Sequence, residues 1–245
     1  MKRTYALYIC LLALAFPFVL TPIAHSQTVD ELLDAHAEAL GGYTAMQEVQ
    51  SLLQEGTMIL QSPLSGSMEG TVMVAVVPEQ RIYHASKVGA YSTTQAWDGT
   101  TAWEQGAQGF RLLEGEEAAR LRVQAHPFFL HTLRQDEDVT LERQPDEIID
   151  EQQHFVLRFT DAHTFYQAYL NADTYLVSQI VSPLTIPGMG ETFIVTDLWD
   201  HEVHHGVTLP TSVTVSIEGV LTTELTFTKT TVNEPMDAQL FARPQ

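Results

Sequence analysis

The chain has 245 residues, and its 12 lysine and arginine side chains stand against 31 aspartates and glutamates, which gives a formal charge of −19. Nucleic-acid binders need clustered basic residues to displace counterions from phosphates, so this charge makes nucleic acid a poor partner. With 44% hydrophobic and 18% charged residues, the composition is typical of a globular chain and not of a disordered one.

Residues 1–26 have the layout of a secretory signal peptide. Lys2 and Arg3 form the positive region, an apolar stretch follows, and Ala24 and Ser26 place small residues at the two positions that signal peptidase reads. The apolar stretch is shorter than the ~20 residues of a membrane-spanning helix, which disfavours a permanent anchor. We therefore predict a cleaved signal and export to the periplasm.

Residues 27–245 are predicted to form a single domain that acts as a monomer. The sole cysteine, Cys10, lies before them and lacks the small preceding residues of a lipidated cysteine. Disulfides and thiol chemistry are therefore not expected. A chain of this length buries roughly 70% of its unfolded surface, which is enough for one core without covalent crosslinks.

Two helices are predicted at the start of this domain. Thr28 and Glu31 match a capping box, in which the hydroxyl and the carboxylate satisfy free backbone amides. An apolar stripe with three- and four-residue spacing follows and ends at Gly41, a residue type suited to the left-handed end of a helix. A second capping box, Thr44 with Gln47, predicts that a short helix begins there.

The hydrophobic period then changes to two, which is typical of strands. The predicted strands of this part cover residues 53–61, 67–77, 80–86, 91–97 and 101–104. Asp98 and Gly99 predict a type I′ hairpin turn, whose two central residues both need positive φ. Two helical pieces are predicted next, at 114–123 and 125–134, with a break near Pro127.

Strands then resume and continue to residue 229. They are predicted at residues 139–143, 154–160, 164–170, 175–182, 191–199, 207–217 and 220–229. Acidic residues at 136–138, 146–147 and 150–151 are interpreted as solvated loops. Strands joined by short turns must be antiparallel, because parallel neighbours need long crossovers, and a sheet this wide curls or closes.

A set of motifs spread over nearly the whole domain resembles one known family. They are Leu40, Gly41 and Gly42 after the first helix, Pro78 with Arg81, Trp97, Asp98 and Gly99 followed by Trp103, the segment YLNADT at 169–174, the segment GVTLP at 206–210, and Gly219, Asn233, Phe241 and Pro244. In order and spacing they resemble the LolA-like proteins, the periplasmic lipoprotein carriers and outer-membrane lipoprotein-sorting proteins.

The resemblance implies a mainly β fold with α cover. A strongly curved antiparallel sheet of about eleven strands would form an incomplete barrel, with helices over its open concave side and a hydrophobic cavity between them. It further implies binding or transport of a lipid or lipoprotein acyl chain, release at a membrane receptor or export complex, and no enzymatic activity.

Apolar residues on the predicted strand faces and the second helical piece are candidates for the cavity lining. They are Val72, Val74, Phe128, Phe129, Leu133, Phe193, Val195, Trp199, Val213, Val215, Leu225 and Phe227. The same residues would serve equally as ordinary core. A structural or protein-interaction module, whose cavity is filled by its own side chains, is therefore the alternative.

The segment HEVHH at 201–205 satisfies the zinc-protease pattern H-E-x-x-H. That chemistry needs both histidines on one helical face, whereas strand-like residues flank this segment on both sides. Strand residues four apart lie roughly 13 Å apart, too far to share a zinc ion with bonds of about 2 Å. We interpret the segment as a solvated hairpin and predict no metal, cofactor or catalytic residue. Weak metal binding and metal-dependent hydrolysis at His201, His204 and His205 remain the remote alternative.

Overall fold

A computed structural model describes residues 27–162, 164–186 and 188–244 of the chain, so the predicted signal peptide lies outside the described residues. The helices are α1 (Val29–Ala39), α2 (Gly42–Glu48), α3 (Gly115–Gln124) and α4 (Phe129–Leu133), with a 3-10 turn at Ala238–Leu240. No helix in these ranges is both long and apolar enough to cross a bilayer.

Within the described residues, thirteen strands make up a single antiparallel sheet. They are β1 (Leu52–Ser62), β2 (Gly66–Val77), β3 (Arg81–Val88), β4 (Tyr91–Trp97), β5 (Ala102–Gly106), β6 (Gly109–Leu113), β7 (Thr140–Ile149), β8 (Gln152–Thr160), β9 (Phe165–Asn171), β10 (Val177–Ile186), β11 (Gly190–His204), β12 (Val207–Ile217) and β13 (Leu221–Val232). The strand order is β6-β5-β4-β3-β2-β1-β13-β12-β11-β10-β9-β8-β7, so the curved sheet stays open between β6 and β7. The mainly β fold and its open, curved sheet are confirmed.

The strand count of about eleven was too low. The sequence analysis missed β6, and it assigned Asp146 and Glu147 to a loop although both lie within β7. The pairing of β7 with β8 shifts register between Gln144 and Glu147, which spans Pro145. A bulge accommodates a proline, which has no amide to donate, and so the strand continues through it.

The first helix begins as predicted and the second does not. The Thr28 hydroxyl accepts from the Glu31 amide at 3.2 Å, and the Glu31 carboxylate accepts from the Thr28 amide at 2.8 Å. Helix α2 begins at Gly42 without a side-chain cap, so Thr44 lies inside it and the second capping box was wrong. The left-handed backbone of Gly41, with φ of 111°, turns the chain directly from one helix into the next.

The turn after β4 is also of a different type. Gly99 has a positive φ, whereas Asp98 does not. The Asp98 carboxylate instead accepts hydrogen bonds from the amides of Thr100 and Thr101, at 2.9 and 2.8 Å. An aspartate that bonds the backbone two and three residues on replaces the type I′ geometry.

The core consists of two buried clusters on the concave side of the sheet. One joins α1, α2 and α3 to β1–β3, β5, β6 and β12, and includes Leu121, Ala125 and Phe128. The other joins α1 and α4 to β8–β10, and includes Leu130 and Phe159. The segment α3–α4 is therefore held at both walls of the curved sheet and spans the middle.

Candidate functional site

A cavity of about 410 Å³ lies where α3–α4 spans the sheet. Its floor comes from β11–β13, its walls from β2–β3 and β9–β10, and its roof from α3 and the residues up to the first turn of α4. The lining residues are Val74, Ile82, His84, Arg120, Val123, Gln124, His126, Phe129, Tyr166, Ile180, Ser182, Ile194, Thr196, Val213, Val215, Leu225 and Phe227. The volume lies within the roughly 300–1,000 Å³ of small-ligand pockets, and the lining is largely apolar, as in such pockets.

Two further spaces adjoin the cavity along the concave face, one on each side. A space of about 220 Å³ beside α1 shares Val74, Gln124, Phe129 and Ile180 with it. On the other side, a space of about 430 Å³ over β1–β4 shares His84, Val215 and Leu225. The three spaces lie side by side along the concave face and are together called the trough, which gives an elongated ligand room beside the central cavity.

Most of the predicted lining residues lie on the concave side. Val74, Phe129, Val213, Val215, Leu225 and Phe227 line the central cavity. Phe128 borders the space beside α1, while Leu133 packs against the second core cluster and Val72 is buried in β2. Val213 and Val215 have short side chains, which leave space between the sheet and α3–α4.

The residues predicted from β11 face the other way. Phe193 and Trp199 are 51% and 46% exposed, and Ile194 and Thr196 line the cavity in their place. Because side chains alternate between faces, Val195 shares the outer face with Phe193 and Trp199. The sequence analysis therefore assigned the wrong face of β11 to the cavity. The error arose because β11 carries apolar residues on both faces and shows no clean alternation.

The pairing of β11 with β12 decides this phase. Thr196 lies opposite Val215 and Leu198 lies opposite Val213. Directly paired residues share a face, so the inward valines of β12 bring the even-numbered residues of β11 inward. The clean alternation of β12 was the signal in the sequence that could have corrected β11.

Sequence reasoning missed the polar residues of the lining. Among the described lining residues of the central cavity, Arg120 alone carries a charge at neutral pH. Burial lowers the pKa of His84 and of His126, so both imidazoles are neutral. Burial also raises the pKa of the Tyr166 phenol to about 12. Hydrophobic periodicity predicts which face of a strand or helix is apolar. It does not predict which single polar residues lie on that face.

A stacked histidine pair joins the two groups of helices. The rings of His36 on α1 and His131 on α4 have centroids 5.2 Å apart and planes inclined by 13°. Burial lowers both pKa values to about 4. The His36 Nδ1–H donates to the Tyr175 carbonyl at 2.8 Å, and neither ring nitrogen of His131 has a partner among the described residues. Arg134 bridges Asp30 and Asp34 beside the pair, at 2.6 and 3.2 Å.

The HEVHH segment forms the end of β11 and the turn after it. His201 and His204 lie in the strand, and His205 has a φ of 54° in the turn that leads into β12. The hairpin interpretation of this segment is confirmed. In the part of the chain that the structure describes, no group of three or more His, Cys, Asp or Glu side chains is arranged to hold a metal ion.

Comparison with known proteins rests on structure alone, because no family model and no curated protein matches the sequence. A Vibrio parahaemolyticus domain named for outer membrane lipoprotein sorting superposes with a TM-score of 0.58 at 11% identity, over 85% of this chain and 95% of its own. A LolA superfamily protein from Nitrosomonas europaea gives 0.57 at 10% identity, over 89% and 99%. The fold is that of the LolA superfamily. A DUF1329 family protein from Desulfovibrio piger shares it, with a TM-score of 0.58 at 11% identity over 89% and 98%.

The LolA-like fold confirms the resemblance drawn from the motifs. At 10–11% identity the likeness extends to the architecture, and the ligand has to be argued from this chain's own cavity. The first two of these solved structures are matched over at least 95% of their length. This chain therefore has the whole fold of those proteins and not only a part of it.

Proposed function

We propose that residues 27–245 form a single-domain, monomeric periplasmic carrier that binds the acyl chain of a lipid or lipoprotein in the trough under α3–α4. The single observation that carries this proposal is the largely apolar cavity of about 410 Å³ between that segment and the sheet, with an adjoining space on each side. Binding needs no catalytic group, and the proposal assigns none.

The energetics of acyl chains suit such a site. Each methylene transferred from water to an apolar environment contributes about 0.8 kcal/mol, so a sixteen-carbon chain offers on the order of 12 kcal/mol of gross transfer energy. The aliphatic floor of Val213, Val215 and Leu225 and the ring of Phe129 in the roof supply that environment. An unfilled cavity of this size would otherwise lower stability through lost packing.

Release would require the roof to move. The connection between α3 and α4 is held to the sheet by its own core contacts and by the hydrogen bond from the Glu79 amide to the Ala125 carbonyl, at 3.2 Å. A membrane receptor or export complex that displaces α3–α4 would expose the chain to an acceptor. Export through the predicted signal at residues 1–26 places the carrier in the periplasm, between two membranes.

The proposal is tested by native mass spectrometry of residues 27–245 purified without detergent. We expect lipid adducts on the wild type and their loss in Phe129→Asp, because an ionised carboxylate in the roof opposes an apolar ligand. Phe193→Asp is the matched control: it makes the same change at a half-exposed position on the outer face and should keep the adducts. Circular dichroism checks that both variants keep the sheet.

A second variant covers the case in which Phe129→Asp unfolds. Val215→Phe keeps the floor apolar and fills space above it, so it should reduce adduct occupancy while the protein stays folded. Wild-type protein without adducts, and without binding of added fatty acid, would overturn the carrier proposal in favour of a structural module. Stoichiometric zinc in the same spectra would revive the metal site at the β11–β12 turn.

A further inference from the structure

One side of the central cavity is polar although the rest of its lining is largely apolar. Arg120 projects from α3 at this side, with its side chain only 17% exposed. Its Nη1 donates to the Pro183 carbonyl at 3.2 Å, and its Nη2 lies 3.8 Å from the Glu116 carboxylate. A guanidinium has five N–H donors, so these two contacts leave donors available to a ligand.

Tyr166 supplies a second polar group on the same side. The residue is 6% exposed, it lines the cavity, and its hydroxyl has no hydrogen-bond partner among the described residues. Its ring stacks on Phe159 with centroids 5.0 Å apart, which fixes where the hydroxyl points. Buried hydroxyls are normally paired, and one without a partner destabilises the folded protein. This hydroxyl is in place for a partner that the described residues do not provide.

The sheet brings a third donor to the same place. The register that pairs Val181 with Gln167 puts Ser182 opposite Tyr166 in the neighbouring strand, and Ser182 is buried in the cavity lining. Pro183, whose carbonyl binds Arg120, is the next residue along the strand. Arg120, Tyr166 and Ser182 therefore form one polar corner of three hydrogen-bond donors.

We infer that this corner, defined by Arg120, Tyr166 and Ser182, binds the anionic head group of a single-chain amphiphile whose tail occupies the trough. This inference rests on the proposed acyl-binding function and adds the substrate class to it. The three groups all donate to an acceptor, and the guanidinium supplies the charge that a carboxylate or phosphate needs in an apolar site. A neutral head group would leave that charge unmatched.

The positive charge of Arg120 in this corner contrasts with the negative charge of the whole chain. The protein has a formal charge of −19, and its surface repels anions. Arg120 lines a largely apolar cavity, and among the described residues its ion pair is with the 45%-exposed Glu116 at 3.8 Å, so its charge is incompletely matched unless an anion joins it. A bound head group would compete with Glu116 for Arg120 and complete the pairing inside the cavity.

The test compares three ligands of equal chain length against Arg120→Gln. Palmitate, hexadecyl phosphate and uncharged methyl palmitate compete with an environment-sensitive fluorescent probe for the wild-type protein. We expect Arg120→Gln to weaken both anions by about 10- to 100-fold, the range of a charge-assisted hydrogen bond, and to leave methyl palmitate unchanged. Arg122→Gln removes the same charge from the exposed side of α3 and should change none of the three.

The possible outcomes separate the inference from the proposed function. Methyl palmitate that binds as tightly as the anions, with no effect of Arg120→Gln, would overturn the anion site while leaving the acyl carrier intact. If none of the three ligands binds the folded wild type, both fail. The tighter of the two anions identifies the head group as a fatty-acid carboxylate or a lipid phosphate.

Tyr166→Phe provides an independent measurement. It removes the hydroxyl and keeps the stacked ring, so we expect palmitate affinity to fall by roughly tenfold or less. The melting temperature of the ligand-free protein should stay equal or rise, because an unpaired buried hydroxyl is removed. A tyrosine with a merely structural role would instead lower the melting temperature and leave the preference for palmitate over methyl palmitate unaltered.

Discussion

The two helical covers of the concave face are held in different ways. The cover α1–α2 is bonded directly to β12: the Thr208 amide donates to the Leu40 carbonyl at 2.9 Å, and its hydroxyl donates to the Ala39 carbonyl at 3.0 Å. Gly41 packs so closely on Gly206 that a side chain there would overlap the Gly206 carbonyl. The cover α3–α4 packs at the two walls of the sheet and leaves the cavity beneath its centre.

This difference shows how one sheet can carry both a rigid core and a binding site. Backbone hydrogen bonds and a glycine contact hold α1–α2 at a fixed separation from β12. Side-chain packing at two distant walls and a backbone hydrogen bond from Glu79 to Ala125 hold α3–α4, and the cavity separates it from the short valines of the floor. The His36–His131 stack is the joint between the two covers.

The largest expected effect comes from Gly41→Ala, which tests whether the close contact of α1–α2 is essential. The new methyl group would overlap the Gly206 carbonyl, and φ at Gly41 is 111°. We expect more than about 4 kcal/mol of destabilisation, the exceptional range for a point substitution, measured by chemical denaturation.

Gly42→Ala is the matched control for this variant. Its φ is also positive, at 87°, but a side chain there has nothing within 4 Å. The backbone cost alone should be about 1–2 kcal/mol. Equal losses in the two variants would show that the backbone conformation, and not the contact with Gly206, determines the stability of this cover.

The next largest effect is a pH dependence at the joint between the covers. His36 and His131 have pKa values of about 4 in the folded protein, where burial favours the neutral ring, against an ordinary value of 6.5. Between these values the unfolded chain binds more protons, so stability is full above pH 6.5 and falls as the pH drops toward 4. At pH 5 the loss should be about 2 kcal/mol for each histidine, measured by denaturation at pH 7 and 5.

His131→Phe sharpens this measurement because it keeps a stacked ring and removes one titrating group. The variant should lose about 2 kcal/mol less than the wild type between pH 7 and 5. It should be as stable as the wild type at pH 7, since neither nitrogen of His131 has a partner among the described residues. An unchanged pH dependence would show that this joint does not titrate with folding.

The smallest expected effect tests the hydrogen bond that anchors α1. Thr208→Val keeps the shape of the side chain and removes the donor to the Ala39 carbonyl. We expect a loss of about 1 kcal/mol in the free energy of unfolding. Thr208 lines the space beside α1 and not the central cavity, so lipid affinity should fall less than in Arg120→Gln. A change in lipid affinity comparable to that of Arg120→Gln would mean that the two covers are coupled.

Local patterns predicted the elements well where one interaction fixes them. The capping box of Thr28 and Glu31 placed the start of α1, and the alternation of residues 207–217 gave the bounds of β12. The predictions failed where two local solutions compete. Helix α2 begins at Gly42, directly after the left-handed Gly41, and not at Thr44. In the turn after β4, the Asp98 carboxylate bonds the backbone and Asp98 has no positive φ.

For the site, the sequence predicted the inward valines of β12 and the aromatic roof residue, and it misplaced β11 by one residue. Phe193, Val195 and Trp199 look more apolar than Ile194 and Thr196, but only the pairing with β12 decides which set faces the cavity. The polar corner could not be predicted, because Arg120, Tyr166 and Ser182 come from three separate elements and meet only in the folded chain.

The sequence by itself determined the class of fold and the existence of one apolar face on most strands, because hydrophobic periodicity and capping are local properties of the chain. Only the tertiary structure decided that the face is covered tightly by α1–α2 and loosely by α3–α4. That outcome depends on the curvature of thirteen strands and on the distance between opposite walls, which no short segment encodes. A cavity remains where the side chains are too small to fill the space between the walls. Its size therefore depends on where the folded sheet places those walls.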